Sequence, residues 1–139
     1  MAESRLHKQL VRSIVSYLET IPYCCVDFIE ADLDNYNTRT SRVVGGFYPD
    51  VFYKDSKAII IGEAKTENDL INPHTQDQIL SYIEEVKLFD GERHIVLCVP
   101  FIAFCSLFNY VNILIEKQNV KDVTFHLLSD NTNTEILCL

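Results

Sequence analysis

The stretch that most constrains this chain is AIIIGEAK, residues 58–65. Side chains along a strand alternate between faces. Ile59, Ile61, Glu63 and Lys65 therefore share one face, and Ile60, Gly62 and Ala64 share the other. Such a run belongs inside a sheet, yet it ends on a carboxylate and an ammonium standing side by side. A partly desolvated pair of that kind needs a partner charge or an ion. The residues ahead of it, PDVFYKDSK (49–57), supply a second short strand, 50–54, and a polar turn, so residues 50–65 read as a hairpin. In an antiparallel pair the start of one strand lies beside the end of the next, which puts Asp50 across from Glu63. Two facing carboxylates repel unless a cation lies between them. They are hard oxygen ligands suited to Mg2+ or Mn2+, and Lys65 beside the ion is placed to orient an attacking water or to offset charge on a phosphate. The alternative is a hairpin that simply surfaces here with a solvated ion pair.

The rest of the chain alternates helix and strand. Residues 3–19 carry Leu6, Leu10, Ile14 and Leu18 on one helical stripe, with Val11 and Tyr17 beside it, and Pro22 stops the helix. Residues 23–30 (YCCVDFIE) alternate as a strand with Cys24, Val26 and Phe28 on one face, and residues 31–42 are a polar loop. Asn72 and Pro73 are an N-cap and first-turn proline for a helix that runs to about Phe89 and is closed by Asp90-Gly91. On that helix Gln78 and Tyr82 are i, i+4 neighbours on one side, with His74 a turn earlier, while Ile79, Ile83 and Val86 form the core stripe. Residues 94–100 (HIVLCVP) are a short buried strand, 101–118 a second long helix, and 123–128 and 135–139 two late strands. The predicted order, αβββαβα with C-terminal strands, describes one α/β domain over residues 1–139, a central mixed β-sheet flanked by helices.

Length and composition set the outer limits. A chain of 139 residues that is 47% hydrophobic is long enough for one core and too apolar for wholesale disorder. Its most apolar window, 101–115, is interrupted by Ser106, Asn109 and Asn112 and is shorter than the roughly 20 residues that span a bilayer. It reads as a buried helix, and because apolar residues surround it nearly all the way round, one side is expected to form a homodimer contact. The start of the chain is polar and signals neither secretion nor import, and the five cysteines form no C-x-x-C; both fit small buried thiols in a reducing cytoplasm. The net charge of −8 is uneven. Residues 1–65 hold 8 basic and 9 acidic side chains, and residues 66–139 hold 4 and 11. If nucleic acid is bound, the first half is the face that can hold it, and Arg39 and Arg42 in the polar loop are candidate phosphate contacts. The acidic second half suits a protein partner.

Asp50 followed by Glu63-Ala64-Lys65 resembles the PD-(D/E)XK signature of the restriction-endonuclease-like nuclease superfamily. Gln78-x-x-x-Tyr82 is similar to a motif of its RecB-type members, and the resemblance covers residues 3–100. It implies a restriction-endonuclease-like core and hydrolysis of DNA phosphodiester bonds with Mg2+ or Mn2+. By that resemblance Asp50 and Glu63 would ligate the metal, helped by the backbone carbonyl of Ala64. Lys65 would assist the water, and Gln78 and Tyr82 would steady the site or the phosphate backbone. Many members place a metal-binding or metal-orienting Glu in the first helix and some RecB-type members use a His. This chain offers both Glu3 and His7, i, i+4 on one face, and the choice stays open. With so little chain outside the core, the implied enzyme is directed by DNA structure or recruited by a partner. Two other readings stand beside it. One is a non-catalytic interaction module that retains the fold, which the acidity favours. The other is a small restriction endonuclease, which would cut one sequence only.

Overall fold

In the computed structural model, which describes residues 4–34, 36, 42–130 and 134–139, two of the three long helices begin at a side-chain cap. Helix α1 is Arg5–Glu19, and the Ser4 side chain accepts the His7 N–H at 3.1 Å. Helix α3 is Pro73–Lys87, with Asn72 accepting the His74 N–H at 3.0 Å and proline in the first turn. Helix α4, Phe104–Gln118, stops at Asn119, which takes the left-handed conformation that closes many helices. A short helix α2, Glu67–Leu70, follows Lys65 and has no counterpart in the sequence reading. The strands are β1 (Glu30–Ala31), β2 (Val51–Lys54), β3 (Ala58–Ala64), β4 (Glu92–Val99), β5 (Thr124–Ser129) and β6 (Thr134–Cys138).

The described strands form one mixed sheet in the order β1-β2-β3-β4-β5-β6. β2 and β3 make the expected antiparallel hairpin, with Val51 opposite Gly62. β3, β4 and β5 run parallel, and α3 and α4 are the crossovers between them. β6 returns antiparallel on β5. Helices α3 and α4 cover one face over Phe52, Ile59, Ile61, Leu97 and Phe125. Helix α1 covers the other over Val51, Ile60, Val96 and Cys98. Every residue of β3 is buried, as a strand sandwiched between two helical layers must be.

At Gly62, helix α1 lies close against the sheet. A Cβ there would meet Ile14 Cγ2 at 3.0 Å and Val51 Cβ at 3.1 Å, so only hydrogen lets the helix lie this low. Gly62→Val is expected to destabilise the fold by about 1–3 kcal/mol, the usual cost of overpacking a filled core, and urea unfolding measures it.

Three expectations change. Residues 23–30 are not a strand: Val26–Phe28 is a 3-10 turn, and only Glu30 and Ala31 pair, with Phe52 and Val51. Local bonds replace the ladder, Phe28 N–H to Cys25 O and Ile29 N–H to Val26 O, and Val26 and Phe28 of the expected Cys24–Val26–Phe28 face are exposed. Cys98 is buried, but Cys24 is only half-buried and Cys25, Cys105 and Cys138 are exposed, so four of the five thiols are not core residues. Helix α4 buries one stripe, Leu107, Val111 and Leu114, and turns Cys105, Ser106, Asn109, Asn112 and Ile113 outward. Its apolar surround therefore narrows to one flank. Glu3 and Arg39 lie outside the described residues. Among the described residues no helix is long and apolar enough to cross a membrane.

Candidate active site

The hairpin register carries Asp50, one residue before β2, to the level of Glu63, one residue before the end of β3. Both side chains are buried, at 5% and 4% exposure, although both carry a carboxyl group. Asp50 is held by its own hairpin: Oδ2 accepts the Ala64 N–H at 2.9 Å. The same oxygen lies 3.2 Å from His7 Nε2, delivered from the first turns of α1. Ligand atoms of His7, Asp50 and Glu63 all lie within 4.8 Å of one another.

Glu63 is approached from the opposite layer. Tyr82 on α3 donates its hydroxyl to Glu63 Oε1 at 2.8 Å, and Gln78 Nε2, one turn earlier, donates to the Tyr82 oxygen at 3.0 Å. The i, i+4 pair was expected on a polar side apart from the core stripe. Instead Gln78 and Tyr82 are buried alongside Ile79, Ile83 and Val86. A tyrosine has enough apolar ring to join the core while its hydroxyl reaches the charge at the strand end. Gln78 Oε1 is buried without a hydrogen-bond partner. Lys65 lies just past β3, mostly buried, its Nζ 3.9 Å from Glu63 Oε2 and its backbone N–H tied to Cys98 O at 3.0 Å.

The electrostatics follow from this packing. Burial, first, then the charge of Asp50 and a hydrogen bond with it, hold Glu63 well above the usual carboxylate range; Lys65 and Tyr82 pull the other way. Burial and then the Glu63 charge push the Tyr82 hydroxyl up, so it stays a donor. Tyr82→Phe strands Glu63 Oε1 and the Gln78 amide in the interior. It is expected to lower stability by about 1–3 kcal/mol in urea unfolding.

No protein-family model, curated protein or solved structure matches the chain. Two buried carboxylates and an imidazole around one point, with one ammonium at the rim, form a donor set that a divalent cation fits, oxygen-rich as Mg2+ and Mn2+ require and with one nitrogen that Mn2+ accepts readily. Of the residues singled out in the sequence, Asp50, Glu63, Ala64, Lys65, Gln78 and Tyr82 come together here, and so does His7. Arg42 does not join them: its guanidinium makes a two-pronged pair with Glu30 at 3.1 Å and lies 4.5 Å over the Phe52 ring.

Proposed function

We propose that this chain is a metal-dependent nuclease built on a restriction-endonuclease-like core, hydrolysing phosphodiester bonds in DNA. The observation that carries the proposal is the convergence of His7, Asp50 and Glu63 within 4.8 Å. The order of elements supports it, since one helix, a hairpin and a parallel crossover deliver the same residues that the sequence motif names. Asp50, Glu63 and His7 would hold Mg2+ or Mn2+, with the Ala64 carbonyl completing the protein's share. Such an ion supplies Lewis acidity at a phosphoryl oxygen and a water made acidic enough to attack at neutral pH. Lys65 stands at the rim of the cluster, where its ammonium offsets charge developing on the phosphate and helps align the nucleophile. Tyr82 holds Glu63 Oε1, which leaves Oε2 turned toward Lys65. Gln78 fixes the Tyr82 hydroxyl in turn.

One fact favours a second reading. A net charge of −8 opposes nucleic acid at long range, and it suits an interaction module that keeps the fold without the chemistry. Such a module has no need of a cation, so calorimetry with Mn2+ separates the two. The acidic residues 66–139 remain our candidate surface for a recruiting protein, and the flank of α4 around Ile113 remains our candidate homodimer contact. The direct test is cleavage of labelled single-stranded, duplex and branched DNA with Mn2+, comparing wild type with Lys65→Ala. Cutting is expected from the wild type, with a loss on the order of 100-fold or more in the variant, the usual scale for removing one group that stabilises transition-state charge. Cutting of one duplex sequence alone would make the protein a restriction enzyme. Absence of both cation binding and cutting would leave the interaction module.

A further inference from the structure

The end of the sheet that holds the candidate site has a charged floor and an apolar rim. Tyr48, two residues before Asp50, is 68% exposed. Phe101 follows β4 directly and is 56% exposed, with Ile102 beside it at 74%. The register fixes where these stand. β3 lies between β2 and β4, and Ala64 is level with Cys98, three residues before Phe101. Tyr48 and Phe101 therefore leave the sheet at the same end as the Asp50–Glu63–Lys65 cluster, on the segments that enter β2 and follow β4, the two strands on either side of β3. Phe101 is anchored at its backbone, where its N–H donates to Asp130 Oδ1 at 2.8 Å. On the far side of Lys65, Ile71 is 80% exposed in the turn after α2.

Resting on the nuclease reading, we propose that this site takes single-stranded nucleic acid, whose bases stack on Tyr48 and Phe101 while the phosphate between them sits over the charged cluster. Charge points the same way. A chain of net charge −8 has no net positive field with which to hold a duplex backbone, whereas base stacking draws on ring faces and depends less on such a field. Paired bases hide those faces inside the stack; unpaired ones offer them.

The chain has no tryptophan, so Tyr48→Trp keeps a stacking ring and adds a single fluorescent reporter. In EDTA, its emission is expected to be quenched by a single-stranded oligonucleotide of ~12 residues and left unchanged by the same sequence as a duplex. Wild-type binding is expected to weaken only slightly between about 50 and 300 mM salt, because few phosphates are neutralised. Tyr48→Leu and Phe101→Leu are each expected to weaken single-strand binding about tenfold or more, with urea unfolding and Mn2+ affinity unchanged. Parallel DNA and RNA strands show whether the 2′-hydroxyl matters. Equal affinity for duplex and single strand, or leucine variants that bind as wild type does, would overturn the proposal even if the protein cuts DNA. Stacking without Mn2+ binding or cutting would instead retain the surface and overturn the nuclease.

Discussion

Glu63→Gln is expected to abolish cleavage while making the metal-free protein more stable at neutral pH. Glu63 is 4% exposed, and burial, Asp50 and their hydrogen bond together raise it well above its ordinary carboxyl value of 4.5. The sign of the effect on stability follows. Between that ordinary value and the raised one, the folded chain holds more protons than the unfolded chain, so stability falls as pH rises through the interval. Glutamine keeps the shape and an oxygen for the Tyr82 hydroxyl but has no charge to bury. The stability gap between variant and wild type should therefore widen with rising pH, as urea unfolding from pH 6 to 8 will measure. Cleavage should fall on the order of a thousandfold or more, the scale on which a misplaced metal costs transition-state stabilisation. A gain in stability joined to a loss in rate marks a residue kept for chemistry against the interest of the fold. Should the variant be less stable at neutral pH, the strain assigned to the carboxylate pair is wrong. Should it still cut, the site is wrong.

The second large effect lies at the other end of the sheet, and it is an acid-side loss of stability. His94 on β4 and His126 on β5 are buried, with His94 Nδ1 and His126 Nε2 2.9 Å apart. Glu92 Oε1 lies 3.2 Å from His94 Nε2 and can only accept, so that nitrogen carries the proton. His94 Nδ1 then accepts from His126 Nε2–H, and His126 Nδ1 accepts from the Tyr17 hydroxyl at 2.7 Å. Two neutral rings satisfy the whole chain without placing a charge in the interior. Burial, first, and the neighbouring His94 push His126 down to about 4 from its ordinary 6.5. Below 6.5 the unfolded chain binds the proton that the folded one refuses, so stability is complete above that pH and drains away toward 4. The loss between pH 7 and pH 5 should be about 2 kcal/mol from this one ring. Glu63 works in the opposite sense over the same range, so the cleanest comparison is Glu63→Gln alone against Glu63→Gln with His126→Phe. A flatter acid limb in the double variant is the expected result; identical slopes would sink the assignment to His126.

The hairpin was legible because its logic is local. Period-two alternation sets which residues of 58–65 share a face, and a short polar turn sets the register that carries Asp50 to Glu63. The cap at Asn72 was legible for the same reason, since a side-chain oxygen and an amide two residues on are enough to start a helix. Residues 23–30 misled because alternation without a sheet neighbour is only a pattern, and local turn bonds took the backbone instead.

Sequence alone determined the carboxylate pair, the lysine after it and the helix that follows, because each depends on neighbours a few residues away. Only the tertiary structure decided which side chains complete the site. Glu3 and His7 are four residues apart in the sequence, and nothing in that spacing says whether His7 reaches Asp50. His7 arrives at 3.2 Å because α1 crosses the sheet over Gly62, a contact between residues far apart in the chain. Tyr82 entered the core for a like reason: the interior of a sheet is filled by whatever apolar area the facing helix offers, and its hydroxyl then meets the buried Glu63 carboxyl group.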